Sequence, residues 1–461
     1  AAAVNFDLAI DPYVFEAQGQ KIDAEMGHIT VPENRSDPKS RTVRLAFVRF
    51  PSTAANPGPP IVYLAGGPGS SGIGTAKSER FHLFMALREV GDVIAFDQRG
   101  TGISEPKLAC GERWSFPLDQ PGDWDRWVAA AETAARACAE HFRSQGIDLA
   151  AYNTKESAAD VDALRQALGL EKINLWGTSY GTHLSLAVLR YHGEGVNRAV
   201  LTGVEGPDHT LKLPSAIDRH VDKVHALIAA DPEVSKAVPD FKGLLTKLLA
   251  DLERGPVEVK LGSNTIVLGK FDLQIYTAEA VGRVNSIRDL PAMFYDLSQG
   301  DYRRLAGWSM VMRRQPLGLV MSWTMDCASG ISEARRERIE REASVSPLGN
   351  AINFPFMGLC GAWGGADLGE VFRTPLRSDG PGLFVRGTLD GRTPPENAQE
   401  ISEGFPNGQQ LIVEGTGHEE ELFSLAPGLK EAMLAFYAGS ELPTSRITLP
   451  PIEFAPVRMS K

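Results

Sequence analysis

Residues 173–189, INLWGTSYGTHLSLAVL, constrain this chain more than any other stretch. Residues 173–176 are a short, mostly apolar run fit for a buried strand. Gly177-Thr178-Ser179-Tyr180-Gly181 follows, and Leu184, Leu186, Ala187, Val188 and Leu189 then supply a largely apolar helical run. Strand, G-x-S-x-G and helix in that order are the context of a nucleophile elbow. The turn is so tight that the neighbours of Ser179 must be small. A Cβ at Gly177 or Gly181 would meet the packed strand and helix. The strained turn lifts the Ser179 hydroxyl above the sheet edge, and the helix N-terminus behind it favours developing negative charge. The bare pentapeptide also occurs by chance in loops; the flanking strand and helix set this one apart.

Other features bound what can surround that elbow. The 461 residues suffice for two or three ordinary domains, or for one large core with an insertion. Hydrophobic content of 43% and charged content of 23% fit a globular protein. No run approaches the roughly 20 apolar residues of a membrane helix, so no membrane partner is expected. A net charge of -11 argues against a nucleic-acid partner, which wants a basic face. The four cysteines are Cys110, Cys138, Cys327 and Cys360. They allow two disulfides or four buried thiols, and none forms the C-x-x-C of a zinc or thioredoxin-type site. The chain opens Ala1-Ala2-Ala3 without Met. That fits the small-residue end of a removed signal peptide, and equally a chain trimmed there. The expected location is periplasmic or secreted.

Taken in order, residues 27–31 and 43–50 read as an antiparallel hairpin at a sheet edge, with Val43, Leu45 and Phe47 on one parity. Residues 60–64 form a buried-type strand running into Ala65-Gly66-Gly67-Pro68-Gly69-Ser70-Ser71-Gly72. That glycine density lets backbone approach a ligand, as in an oxyanion hole. A phosphate loop is disfavoured, because no Gly-Lys-Ser/Thr ending follows. Residues 93–96 lead into Asp97-Gln98-Arg99-Gly100-Thr101-Gly102-Ile103-Ser104, where structural pairing of Asp97 and Arg99 beneath the glycine loop is favoured over catalysis. Residues 108–147 read as a helical excursion and 154–168 as an amphipathic helix. A strand over 198–204 ends at Glu205-Gly206-Pro207-Asp208.

The βα rhythm stops at about residue 207 and resumes at Pro381. The intervening stretch is mostly helical, with a hairpin near 257–271 and a solvated basic helix face at 335–338. Three segments follow: a first core part at 1–206, a helical cap at 207–375, and a second core part at 376–461. The expected fold is α/β: a mostly parallel sheet flanked by helices, with an inserted cap over the strand ends, where open α/β sheets bind ligands. Strands at 382–386 and 410–413 precede the loops that carry Asp390 and His418. A final helix is expected over 427–437, with Pro427 in its first turn. The Pro-rich tail, 442–461, is expected to lie extended on the surface.

Ser179, Asp390 and His418 thus follow predicted strands in the chain order of an α/β-hydrolase. A Ser hydroxyl is a poor nucleophile at neutral pH, so His418 must take its proton. Asp390 would hold the correct His418 tautomer, with Glu414 and Asp367 as the alternative carboxylates. The oxyanion donors are assigned to the backbone N–H groups of Gly67 and Tyr180. Of the nine His, His183 should point away from the elbow, whereas His209 and His220 fall in the cap and are candidates to line a pocket. This set needs neither metal nor cofactor, so none is expected.

The motifs Gly66–Gly72, Asp97-Gln98-Arg99-Gly100-Thr101-Gly102-Ile103-Ser104, Gly177-Thr178-Ser179-Tyr180-Gly181-Thr182 and Asp390 with Gly417-His418 jointly resemble the proline iminopeptidase and secreted tripeptidyl aminopeptidase family of serine exopeptidases. The resemblance implies an α/β-hydrolase core, a helical cap inserted after the sixth strand near Gly206, and the triad above. It also implies disulfides Cys110–Cys138 and Cys327–Cys360. Ala65 stands where the iminopeptidases usually carry His, and Glu25-Met26 where secreted members often have Cys. An aminopeptidase must recognise a free α-ammonium with carboxylates in a partly dry pocket. Glu205 and Asp326 are the candidates, with His209, Trp323 and Phe356 as candidate walls. The expected substrate is a peptide, or a small molecule if the enzyme is an esterase or amidase. Oligomeric state is not legible.

Overall fold

Residues 61–64 show why the chain builds a sheet covered on both faces. Ile61 and Tyr63 pack into one apolar core with Phe81, Phe84 and Met433; Val62 and Leu64 pack into another with Val161, Leu164 and Leu184. Strand side chains alternate between faces, so a strand apolar at every position needs cover on each side. The computed structural model describes residues 7–459, so the Ala1-Ala2-Ala3 start and the signal-peptide expectation lie outside the described residues.

The strands in chain order are β1 (Asp7–Ala17), β2 (Gln20–Pro32), β3 (Thr42–Phe50), β4 (Gly58–Leu64), β5 (Gly91–Phe96), β6 (Ala109–Arg113), β7 (Ile173–Thr178), β8 (Val196–Thr202), β9 (Val257–Leu261), β10 (Asn264–Leu268), β11 (Pro316–Leu319), β12 (Gly382–Gly387), β13 (Gln409–Glu414) and β14 (Arg446–Thr448). Ten form one sheet in the order β1-β2-β3-β5-β4-β7-β8-β12-β13-β14. The run from β5 to β14 is parallel, and β1, β2 and β3 pair antiparallel. The chain leaves β4 outward to β5 and returns to β7 on β4's other side. The loops after β4 and β7 therefore diverge and open a crevice at the strand C-termini.

The sheet is wider than expected at both edges. The hairpin of β2 and β3 is not terminal, because β1 pairs along the outer side of β2. Residues 7–17 hide that strand: only Phe15 and Ala17 of it are buried, so its apolar alternation is faint. The tail is not wholly a surface strap, since β14 adds to β13 through three residues with Ile447 buried. The last helix, Leu429–Tyr437, starts later than expected. Gly428 precedes it at φ 93, a conformation that leaves Pro427 outside the first turn.

Between β8 and β12 the chain is mostly helical, with the β9–β10 hairpin packed among the helices. The insertion follows β8, and β1 and β6, which the sequence does not announce, precede it. The expected helical excursion at 108–147 is only part helix, Trp124–Ser144, and its first residues form β6, which pairs with β11 of the cap. No apolar pattern in 109–113 announces β6; its partner, distant in sequence, supplies the ladder. The segment also packs on the cap through its aromatics. Phe116 stacks on Trp127 at 4.7 Å, and Trp127 meets Phe354 at 5.9 Å. Arg313, fully buried, pairs with Asp272 at 2.7 Å and donates to the Pro117 and Gln120 carbonyls.

Two disulfides, Cys110–Cys138 and Cys327–Cys360, brace this region. They close stretches of 28 and 33 residues, each stabilising by about 3–4 kcal/mol on the chain-entropy account. Reduction is expected to lower Tm clearly in a thermal melt with and without reductant. An unchanged Tm would show that cap packing, not the cross-links, holds this region.

Candidate active site

The elbow has the geometry its glycines predict. Ser179 sits at φ 54 and ψ -126 between β7 and the helix Tyr180–His192. A Cβ at Gly177 would lie 2.5 Å from the Gly181 carbonyl oxygen, and one at Gly181 would lie 1.9 Å from that of Leu64. Neither contact is tolerable, so both positions must lack a side chain. Ser179 Oγ lies 3.1 Å from His418 Nε2, and His418 Nδ1 lies 2.9 Å from Asp390 Oδ2. The three side chains leave the C-terminal ends of β7, β13 and β12.

Asp390 is fully buried and heavily donated to. The Thr393 hydroxyl reaches Oδ2 at 2.6 Å, and the backbone N–H groups of Arg392 and Thr393 each reach Oδ1 at 2.8 Å. Burial pushes this carboxyl up. His418 and the Thr393 donors outweigh that and hold it below the ordinary carboxylate value. Phe423 packs edge-on against the His418 ring at 4.9 Å. Thr393 was not singled out from sequence; its place three residues after Asp390, in a turn, was the available signal.

The glycine loop after β4 comes against the elbow. A Cβ on Gly66 would fall 2.9 Å from Ser179 Cβ, and Gly67 takes φ 115. The Gly67 N–H makes no hydrogen bond among the described residues. The Tyr180 N–H is at the first helical position, where no intrahelical acceptor exists. Asp97 fastens this loop, accepting from the Ser71 hydroxyl at 2.6 Å and from the Ile73 and Ile103 N–H groups at 3.0 and 2.9 Å. Arg99 is buried and bidentate on Asp160, at 2.7 and 2.8 Å. Both residues brace the loops and neither reaches Ser179.

A cleft of about 950 Å³ opens over Ser179 and His418, lined also by Glu205, Lys212 and Arg392. Glu205 is tied to the elbow. Its N–H donates to Thr182 Oγ1 at 2.8 Å, and the Thr182 hydroxyl donates to the Ser179 carbonyl at 2.6 Å. Lys212 Nζ pairs with Glu205 Oε2 at 3.1 Å. Burial raises the Glu205 carboxyl, but Lys212 and His183 win and leave it below its ordinary value. Asp326 does not line the cleft. It is buried, and that burial, with the nearby Glu205 charge, pushes its carboxyl well up.

Several sequence candidates lie elsewhere. His209 accepts the Gly206 N–H at 2.9 Å, faces Glu400 and borders a separate cavity of about 280 Å³. His220 bonds within its own helix to the Ala216 carbonyl. Trp323 donates to the Leu317 carbonyl and packs on Phe356 at 5.1 Å, so both belong to the cap interior rather than to a cleft wall. The alternative carboxylates Glu414 and Asp367 are paired with Arg446 and Arg373. His183 is buried against the Gly206 carbonyl and the Ser329 hydroxyl, off the cleft. Lys212 and Arg392 were missed, because a lone basic residue in a loop carries no pattern. Among the described residues no group of three or more His, Cys, Asp or Glu side chains is placed to hold a metal ion.

A family model for the alpha/beta hydrolase fold matches residues 59–420, from β4 to the loop after His418. The chain belongs to the α/β-hydrolase family. This hydrolase is 30% identical over 195 residues to a tripeptidyl aminopeptidase of Streptomyces coelicolor, across 40% of this chain and 35% of that one. It is 31% identical over 192 residues to the serine protease Hip1 of Mycobacterium tuberculosis, across 40% and 36%. It is 28% identical over 191 residues to a proline iminopeptidase of Xylella fastidiosa, across 38% and 46%. The similarity thus spans between about a third and a half of each relative's length.

Proposed function

We propose that this α/β hydrolase is a serine aminopeptidase that releases N-terminal residues or short peptides. The observation that carries the reading is the Glu205 carboxylate in the same cleft as Ser179, tied to the elbow through Thr182. An α-ammonium paired there would place the acyl group of an N-terminal segment beside the serine. The similarity to peptidases points the same way. Ser179 Oγ attacks the scissile carbonyl carbon as its proton passes to His418 Nε2. The Gly67 and Tyr180 N–H groups receive the oxyanion. The C–N bond then breaks, and His418 returns the proton to the leaving amine. Water, giving its proton to His418, cleaves the acyl-enzyme and releases the acid. The two disulfides support an oxidising compartment, periplasmic or extracellular.

A second reading has its own observation. Because Lys212 already pairs with Glu205, the carboxylate presents no net charge to an incoming ammonium. That favours an esterase or amidase acting on a small neutral substrate with the same triad. A matched panel separates the two: aminoacyl and tripeptidyl arylamides with a free amine, their N-acetylated twins, and a short-chain aryl ester. For the aminopeptidase, kcat/KM of the free-amine substrates is expected to exceed that of the twins by about 10²-fold or more. Equal rates with free and acetylated amines, or turnover of the ester alone, would remove the aminopeptidase reading.

A further inference from the structure

Lys212 is held as a substrate would be. Its ε-ammonium meets Glu205 Oε2 at 3.1 Å, the His209 carbonyl at 3.3 Å and the Thr210 carbonyl at 3.4 Å. One carboxylate and two carbonyls converge on a primary ammonium, which has three N–H bonds to give. Its backbone is fixed separately. The Lys212 N–H donates to Asn353 Oδ1 at 2.7 Å, and its carbonyl accepts from Asn353 Nδ2 at 2.8 Å. The side chain can therefore leave without disturbing the loop that carries it. A second buried carboxyl, that of Asp326, lies near this pair. Asp326 is 8% exposed, and its carboxyl makes no hydrogen bond or ion pair among the described residues. It lies within electrostatic reach of both Glu205 and Lys212. Arg392 is the other cation near it, and its guanidinium likewise makes no hydrogen bond or ion pair among the described residues. Of the two carboxylates, Glu205 alone thus holds the Lys212 ammonium, and a substrate ammonium would have to take that same carboxylate.

We propose that Lys212 is a specificity-determining residue, an internal ammonium that occupies the cleft's N-terminus seat and must be displaced by the substrate's own. The inference rests on the aminopeptidase reading. Only an ammonium able to replace Lys212 on Glu205 binds productively. Amines that are acylated or too far from the scissile bond gain nothing from the exchange. The seat is open only for the fraction of time that Lys212 is away from it, and apparent affinity falls by that fraction.

The test is Lys212→Met on the full chain with free-amine and N-acetylated arylamides. The free-amine to acetylated ratio of kcat/KM is expected to rise about tenfold, if Lys212 holds the seat for about nine-tenths of the time. The gain should appear in KM rather than kcat. A raised or unchanged KM for the free-amine substrate would overturn the proposal. Because Lys212→Met leaves Glu205 without its partner, a second measurement puts an ammonium back. Lys212→Ala should be inhibited competitively by n-propylammonium, which refills the seat, whereas wild type should not. Equal inhibition of the two proteins, or of neither, would overturn the proposal as well. If wild type itself fails to distinguish free from acetylated amines, the aminopeptidase reading falls and this inference falls with it. If wild type distinguishes them and Lys212→Met lowers no KM, only the role of Lys212 is lost.

Discussion

Replacing Ser179 with alanine is expected to lower kcat by about 10⁶-fold while leaving the fold intact. The side-chain oxygen makes a single hydrogen bond among the described residues, to His418 at 3.1 Å, so its loss leaves no buried donor or acceptor stranded. The Cβ that packs against Gly66 is retained. The backbone stays at φ 54, a conformation as demanding for serine as for alanine, so the strain is common to both proteins. A thermal melt should place the variant close to wild type, and a fluorophosphonate probe should label only wild type. Turnover above about 1% of wild type would mean that another nucleophile acts, since oxyanion donors and binding alone give far less.

The elbow was legible because its constraints are steric and local. Gly177, Gly181 and Gly66 each face an atom that forbids a Cβ, and such demands leave glycines in the sequence at fixed offsets. Asp390 and His418 were legible for a related reason: parallel strands end on one side of the sheet, so chemistry-bearing loops after strands converge. Glu205 shares this property, standing just past β8. What was not legible depends on partners distant in sequence. Strand β6 exists because β11 pairs with it, and β1 because β2 offers an open edge. Trp323 and Phe356 are apolar residues of a mostly helical insertion, and only their packing assigns them to the cap interior instead of the cleft. Lys212 reaches Glu205 from the loop after β8, and nothing in its neighbours in sequence marks it.

Asp390→Asn tests the part of the site that is least replaceable by an isostere, and kcat is expected to fall about 10⁴-fold with little change in KM. The reason lies in how the carboxylate is held. Oδ1 accepts two backbone N–H groups, from Arg392 and Thr393, that cannot turn away. An asparagine must therefore keep its oxygen at that position, since an NH₂ there would face two donors. Its NH₂ then replaces Oδ2, the atom that faces His418 Nδ1 at 2.9 Å and the Thr393 hydroxyl at 2.6 Å. A donor opposite Nδ1 makes that nitrogen the acceptor and moves the ring proton to Nε2. Nε2 then carries a hydrogen towards Ser179 and cannot take the serine proton. The variant should fold, because the hydroxyl of Thr393 can rotate to accept from the amide. Rate loss should lessen at high pH, where hydroxide takes over the role of the misprotonated histidine. A kcat within about tenfold of wild type would show that Asp390 merely fills space and that the His418 tautomer is set elsewhere.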